Sequence, residues 1–262
     1  MLLKDVAEAA EKTGHIDLFC DYDGVLVPIA PRPQDACLDE KTIGLLRRLS
    51  HHHALHTSIV SGRSLADIRM RVGVPGITYV GNHGLEIEGP GIERAEHIPH
   101  HALEIMRVLA ETLQSAMQQY PGVIVEDKTL VVAVHFRLAD PGQVPLILRT
   151  FSALVADRNA GHLLRVTSGM SLVEVRPNVA CDKGTAVKFL LEKRHGADFQ
   201  THTLPVYLGD DETDEDAFRA LQSHGMTIRV GHPPPAGTAA HSMLRDTNEV
   251  HVFLDRLLHI FP

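Results

Sequence analysis

The chain has 262 residues, 44% hydrophobic and 22% charged, with a formal net charge of −8. That is enough apolar material for a sizeable core and for two domains. An acidic balance with no block of Lys or Arg argues against nucleic acid or an anionic membrane, so neither is expected as a partner. Cys20, Cys37 and Cys181 are odd in number and form no C-x-x-C pair, which excludes a disulfide framework or a cysteine zinc site and fits a reducing compartment.

Met1 to Glu8 mixes acids with apolar residues at helical spacing, unlike the basic start and unbroken apolar run of a signal peptide, and no run is long enough to span a bilayer. A cytoplasmic location is therefore expected. Ile16 to Cys20 reads as a strand that ends in Phe19-Cys20-Asp21-Tyr22-Asp23-Gly24. Acids at i and i+2 share one face of an extended segment. Asp21 and the backbone beyond it could hold a divalent cation, leaving Asp23 free for proton transfer. The same residues also suit a plain polar turn.

Thr42 to Leu49 carries apolar residues at helical spacing, and the internal run His51-His52-His53 reads as solvated surface. Leu55 to Val60 predicts a second strand, closed by Ser61-Gly62-Arg63 before a helical pattern from Leu65 to Val72. Ser61 could donate to an anion held at that helix start, or it could simply cap the helix. Ile77 to Val80 predicts a third strand, ending at Gly81. Alternating strands and helices imply an α/β fold with a mostly parallel sheet. In such sheets ligands bind at the carboxyl ends of the strands, where Asp21, Ser61, Gly81 and Asp210 all fall.

The rhythm then breaks. A helical pattern from about His101 to Gln119 precedes two adjoining strand-like runs, Val123 to Asp127 and Leu130 to Arg137. A second pattern, about Val144 to Arg158, precedes Leu163 to Thr167 and Ser171 to Arg176. This α-β-β-α-β-β segment predicts an inserted domain at 97–178 within a core of 1–96 and 179–262. Alternation puts Glu126 with Lys128, His135 with Arg137, and Glu174 with Arg176 on one sheet face. Any one pair could be solvated surface, but three strands repeating the pattern suit a ligand-facing surface that a polyol would need.

Past the insert, Lys183 starts a helical pattern at Thr185 to Lys193, where a cation opposes the helix dipole and hints at a negative partner. Leu204 to Leu208 predicts another strand, followed by Gly209-Asp210-Asp211-Glu212-Thr213-Asp214-Glu215-Asp216. Asp214, Glu215 and Asp216 suit the first turn of a helix. Asp210 and Asp211 are adjacent carboxylates that repel unless a cation or donors compensate.

The ordered set of Asp21 with Asp23, Ser61, Lys183, and Asp210 with Asp211 resembles the four motifs of the haloacid dehalogenase superfamily. The resemblance extends over nearly the whole chain to trehalose-6-phosphate phosphatases. It is carried by Gly81-Asn82-His83-Gly84, Glu126-Asp127-Lys128, His135-Phe136-Arg137 and Glu174-Val175-Arg176-Pro177. Two positions depart from that pattern: Val25 replaces a usual threonine, and Met170 stands where a lysine is common.

The resemblance implies an α/β, Rossmann-like parallel sheet core with an inserted, mobile α/β cap. It further implies a Mg2+-dependent phosphoric monoester hydrolase of trehalose biosynthesis, a monomer acting on a small sugar phosphate. In that reading Asp21 is the nucleophile and Asp23 the acid and base, while Ser61 and Lys183 hold the phosphoryl group. Asp21, the Asp23 carbonyl and Asp210 bind the metal, with Asp211 and Asp214 behind them. Arg63, Asn82, Glu126, Lys128, Arg137 and Glu174 contact the sugar. Phosphatases of sucrose phosphate or mannosyl-3-phosphoglycerate, a catalytically silent sugar-phosphate sensor and a receiver-type phospho-acceptor remain the alternatives.

Overall fold

The computed structural model describes residues 2–95, 98–159, 162–169, 171–232 and 237–261. Met170 and the expected 96/97 boundary lie outside them. The chain divides into two compact units, Met1–Ala95 with Cys181–Pro262, and Glu96–Ala180.

In the first unit the elements run α1 (Leu2–Thr13), β1 (Ile16–Cys20), α2 (Glu40–Ser50), β2 (Leu55–Val60), α3 (Leu65–Val72), β3 (Thr78–Gly81), β4 (Glu86–Gly89) and β5 (Ile92–Ala95). The second unit holds α4 (His100–Met117), β6 (Ile124–Asp127), β7 (Val132–His135), α5 (Val144–Arg158), β8 (Leu164–Gly169) and β9 (Leu172–Pro177). The first resumes with α6 (Lys183–His195), β10 (Leu204–Gly209), α7 (Asp214–Leu221), β11 (Met226–Val230), β12 (Ser242–Leu244) and α8 (Thr247–Leu257). None of the described helices is long and apolar enough to cross a membrane.

The first unit is an α/β sandwich around a sheet in the order β12-β11-β10-β1-β2-β3-β4-β5. β12 through β3 pair in parallel, and β4 and β5 add an antiparallel hairpin that the sequence reading did not anticipate. Every residue of β1 is buried, because helices cover both faces. Leu18 and Cys20 pack with α1, α2 and α8 on one side, whereas Phe19 packs with Val187, Leu190, Leu191 and Phe218 of α6 and α7 on the other. Helix starts are set locally. Asp39 accepts from Thr42 N–H to begin α2, and Asp182 with Thr185 forms a reciprocal capping box at α6. Gly73, at φ +59°, closes α3 in the left-handed conformation that favours glycine.

The second unit packs α4 and α5 on one face of the sheet β6-β7-β9-β8. Met106, Leu109, Leu113, Phe151 and Val155 meet Val132, Val134, Val173 and Val175. Period-two alternation leaves Glu126, His135 and Glu174 on the opposite face. In register, Glu126 pairs with Ala133 and Ala133 with Glu174. β6 and β7 are shorter than the expected runs, whereas β8 and β9 match theirs to within two residues at each end. Thr129, at φ +68°, turns the chain between β6 and β7, and Phe136 N–H donates to Ser171 O one step past His135–Leu172, the last β7–β9 pair. Lys128 and Arg137 consequently lie just beyond the strands rather than within them.

Candidate active site

β1 and β10 are neighbours in the parallel sheet, and the Asp21 N–H donates to Leu208 O at 2.9 Å. This brings the two acid clusters together at the carboxyl edge. Asp21 is 5% exposed; its Oδ1 accepts from Tyr22 N at 2.6 Å and its Oδ2 from Lys183 Nζ at 2.9 Å. Lys183, the first residue of α6 and 2% exposed, also donates to Asp214 Oδ1 at 2.8 Å. A solvated surface lysine is thereby excluded. Tyr207 O–H donates to that same Asp214 oxygen at 2.7 Å, and the Asp210 and Asp211 N–H groups donate to Asp214 Oδ2 at 2.9 and 3.1 Å. Asp214 therefore acts as an anchor for Lys183 and for the loop carrying Asp210, beyond the helix-start role its position suggested. Glu215, in the first turn of α7 as read from the sequence, also binds Arg229, Thr238 and the Ala239 N–H.

Asp211 Oδ1 accepts from Thr213 N and Oγ1 at 2.8 and 2.7 Å. The carboxylate of Asp210 lies against Gly24, where an added Cβ would collide with Oδ2. Burial pushes the Asp21 carboxyl well above the ordinary range. Lys183 opposes this, and Asp214, Asp210 and Asp211 reinforce it. Asp210 is raised in the same way, by burial and then by Asp211 and Asp214. For Asp211, burial is outweighed by Lys183 and the Thr213 hydrogen bond, so its carboxyl is lowered.

Four carboxylates thus gather about Lys183, an excess of negative charge that a hard divalent cation would balance. Oxygen donors of this kind, with glycine leaving a cradle at position 24, fit Mg2+. Asp21, Asp211 and Asp214 each offer a carboxylate oxygen within 4.8 Å of the others, and Asp210, set against Gly24, is the fourth carboxylate that could contribute. Gly24→Ala tests that cradle: at φ +77° the methyl displaces Asp210 and strains the turn. The expected cost is about 1–3 kcal/mol in chemical denaturation, a typical value for strain of this kind.

Asp23 lies on the same turn and is gripped by Arg63. Nε and a terminal nitrogen of the guanidinium each donate to one Asp23 oxygen at 2.7 Å. Arg63 also binds Asp67 and the Pro33 carbonyl, at 2.9 Å each, and lies 5.2 Å from the centre of the Tyr22 ring. Sequence reading placed Arg63 on a sugar; here its fork is on Asp23. Burial opposes the Arg63 charge but the two aspartates dominate, holding the guanidinium firmly protonated.

Ser61 is 1% exposed at the end of β2, with Oγ accepting from Arg63 N at 3.1 Å. It does not cap α3, since Ser64 does so by accepting from Asp67 N.

Asn82 and His83 follow β3 at φ +49° and +57°. Asn82 Nδ2 donates to Glu86 Oε2 at 2.7 Å, and its buried Oδ1 has no partner among the described residues. The His83 ring lies over Gly62, where a Cβ would meet Cε1 at 2.5 Å, and it helps keep Asp211 ionised. Tyr207 and His83 were given no role in the sequence reading. A tyrosine inside an apolar strand run and a histidine in a glycine-flanked triplet were the available signals.

In the second unit Lys128 Nζ reaches back to Glu174 Oε1 at 2.8 Å, both side chains under 10% exposed. Glu126 Oε2 pairs with His135 Nε2 at 2.9 Å. The structure therefore brings Glu126, Lys128, His135 and Glu174 into one polar face, while Arg137 is exposed beyond β7.

Residues 19–248 match the family model described as trehalose-phosphatase. A trehalose-phosphate phosphatase of Mycobacterium tuberculosis is 36% identical over 243 residues, covering 92% of this chain and 60% of the relative. The Arabidopsis thaliana trehalose-phosphate phosphatase B is 33% identical over 260 residues, covering 95% and 68%. The chain thus spans about three fifths of the mycobacterial relative's length. Among solved structures, the C-terminal domain of Candida albicans trehalose-6-phosphate phosphatase superposes with a TM-score of 0.83 at 24% identity, covering 99% of this chain and 97% of that one. That last likeness concerns the fold.

Proposed function

The chain belongs to the trehalose-phosphatase family, and from that premise we propose that it hydrolyses trehalose 6-phosphate to trehalose and phosphate through Asp21. The observation that carries the proposal is the buried Asp21–Lys183–Asp214 chain, with Asp23 two residues on and held by Arg63. A carboxylate kept this dry and fixed by Lys183 and the Tyr22 amide has few solvent competitors for an incoming phosphorus.

In the proposed sequence an Asp21 oxygen bonds to phosphorus as the phosphorus–sugar oxygen bond breaks, and the leaving oxygen takes its proton from Asp23. Asp23 then takes a proton from water as that water attacks phosphorus. The bond to Asp21 breaks, freeing phosphate and restoring the carboxylate. Lys183 and Ser61 orient the phosphoryl group, where fixed electrostatics supplies much of the catalysis. Mg2+ bound to Asp21 and Asp210 would supply charge neutralisation at the phosphoryl oxygens. Arg63 acts on Asp23 and is therefore a positioning residue. Within the second unit, the face of Glu126, Lys128 and Glu174 with nearby Arg137 offers donors and acceptors of the kind sugar hydroxyls need; within the first, Asn82 Oδ1 is a buried acceptor with no partner among the described residues. Three free thiols support a reducing, cytoplasmic compartment.

Phosphate release should be measured with Mg2+ across trehalose 6-phosphate, sucrose phosphate and mannosyl-3-phosphoglycerate. The expected outcome is the highest kcat/KM on the first. Faster turnover of another sugar phosphate would remove the substrate assignment and keep the chemistry, and silence on all three would remove both.

A further inference from the structure

At the amino end of β1, Asp17 is a fully buried carboxylate that the chemistry above does not use. Its two oxygens are divided between different partners. Oδ1 accepts from Arg194 at 2.6 Å, and that guanidinium is fastened to the Ser58 and Thr78 hydroxyls at 3.0 and 2.8 Å. Oδ2 faces two imidazoles, His195 Nε2 at 2.6 Å and His56 Nδ1 at 3.7 Å. His56 stands opposite Asp17 in the β1–β2 register, and His195 ends α6. A third ring, His15, stacks on His56 at 5.8 Å and buries an Nδ1 that has no hydrogen-bond partner.

We propose that Asp17 Oδ2, His56 Nδ1 and His195 Nε2 form a site for a divalent transition metal of the Zn2+ class, separate from the carboxylate site at the other end of β1. Two imidazole nitrogens with one carboxylate oxygen suit Zn2+, whereas Mg2+ favours an all-oxygen set. The three ligand atoms already lie within 4.8 Å of one another. Ligands about 2.1 Å from a tetrahedral ion stand about 3.4 Å apart. The Asp17–His56 spacing is close to that, and the Asp17–His195 contact needs to open by less than about 1 Å.

Balancing Arg194 accounts for Oδ1 but not for two histidines converging on Oδ2. Arg194, Ser58 and Thr78 instead look like the outer groups that orient a ligating carboxylate. Entry is open, because the His56 side chain is 45% exposed, and a water can complete the fourth position there. The bound ion would join β1, β2 and the end of α6.

The test is calorimetric titration of the metal-stripped full chain with Zn2+ in excess Mg2+, which keeps the carboxylate site filled, paired with thermal melting with and without Zn2+. The expected result is one Zn2+ per chain and a raised Tm. His56→Ala and His195→Gln should each weaken binding about tenfold or more and abolish the Tm rise, while both variants melt normally without metal. The triple variant His51→Ala, His52→Ala, His53→Ala should bind as the parent does. Undiminished binding in His56→Ala and His195→Gln, loss of binding in the triple variant, or no binding by the parent would each overturn the site.

Discussion

Asp21→Asn is expected to lose at least about 10⁴-fold in phosphate release, the scale seen when a nucleophile is removed, while folding as well as the parent. The amide cannot attack phosphorus, yet it fills the same volume. Its effect on stability is small because burial and three neighbouring carboxylates disfavour the ionised form of Asp21 while Lys183 favours it. Lys183 keeps its other partner, Asp214, at 2.8 Å. A phosphate-release assay and a thermal melt on one preparation check both halves. Measurable turnover in a folded Asp21→Asn protein would end the nucleophile assignment.

Lys183→Met is expected to fail in both respects. Its side chain is 2% exposed and bridges Asp21 to Asp214, so the variant leaves two buried carboxylates without their cation. Breaking a buried pair by removing one partner costs about 3–5 kcal/mol. Loss of one preorganised charge at the reacting group costs about 10²–10³ in kcat. Chemical denaturation and steady-state assays give the two numbers. Adding Asp21→Asn to Lys183→Met should recover part of the lost stability, since groups in direct contact do not add. Strict additivity would show that the ion pair is not what holds Lys183 in place.

The core of this site was legible because its residues sit where secondary structure changes, next to glycine and at fixed spacing. Asp21 and Asp23, Lys183 at a helix start and Asp210 at a strand end all carry that local mark. Partners separated by long stretches of chain do not. Arg63 looked like a ligand contact because its bidentate partner, Asp23, lies forty residues upstream. Asp17 was hidden inside a run read as apolar, since Arg194 and His195 are 177 and 178 residues away. The same limit applied to the fold. The β1, β2, β3 and β10 runs were visible as buried stretches, but Glu86-Ile87-Glu88-Gly89 and Ile92-Glu93-Arg94-Ala95 form a short hairpin of mixed polarity that ends the sheet. Their pairing depends on the Pro90-Gly91 turn, with Gly91 at φ +69°. A capping role for Ser61 stayed open for a related reason: it precedes α3, and only geometry shows that Ser64 caps that helix.

Helix α6 begins with Lys183 on Asp21 and ends with Arg194 and His195 on Asp17, so one thirteen-residue rod is pinned at both ends of the same strand. One inserted or deleted residue would turn the far end through about 100° and shift it by about 1.5 Å. Lys183 or Arg194 could then meet its aspartate, but not both. Substitutions on the solvent side of this helix are free to accumulate, whereas its length is a fixed unit of measure between β1's two acids.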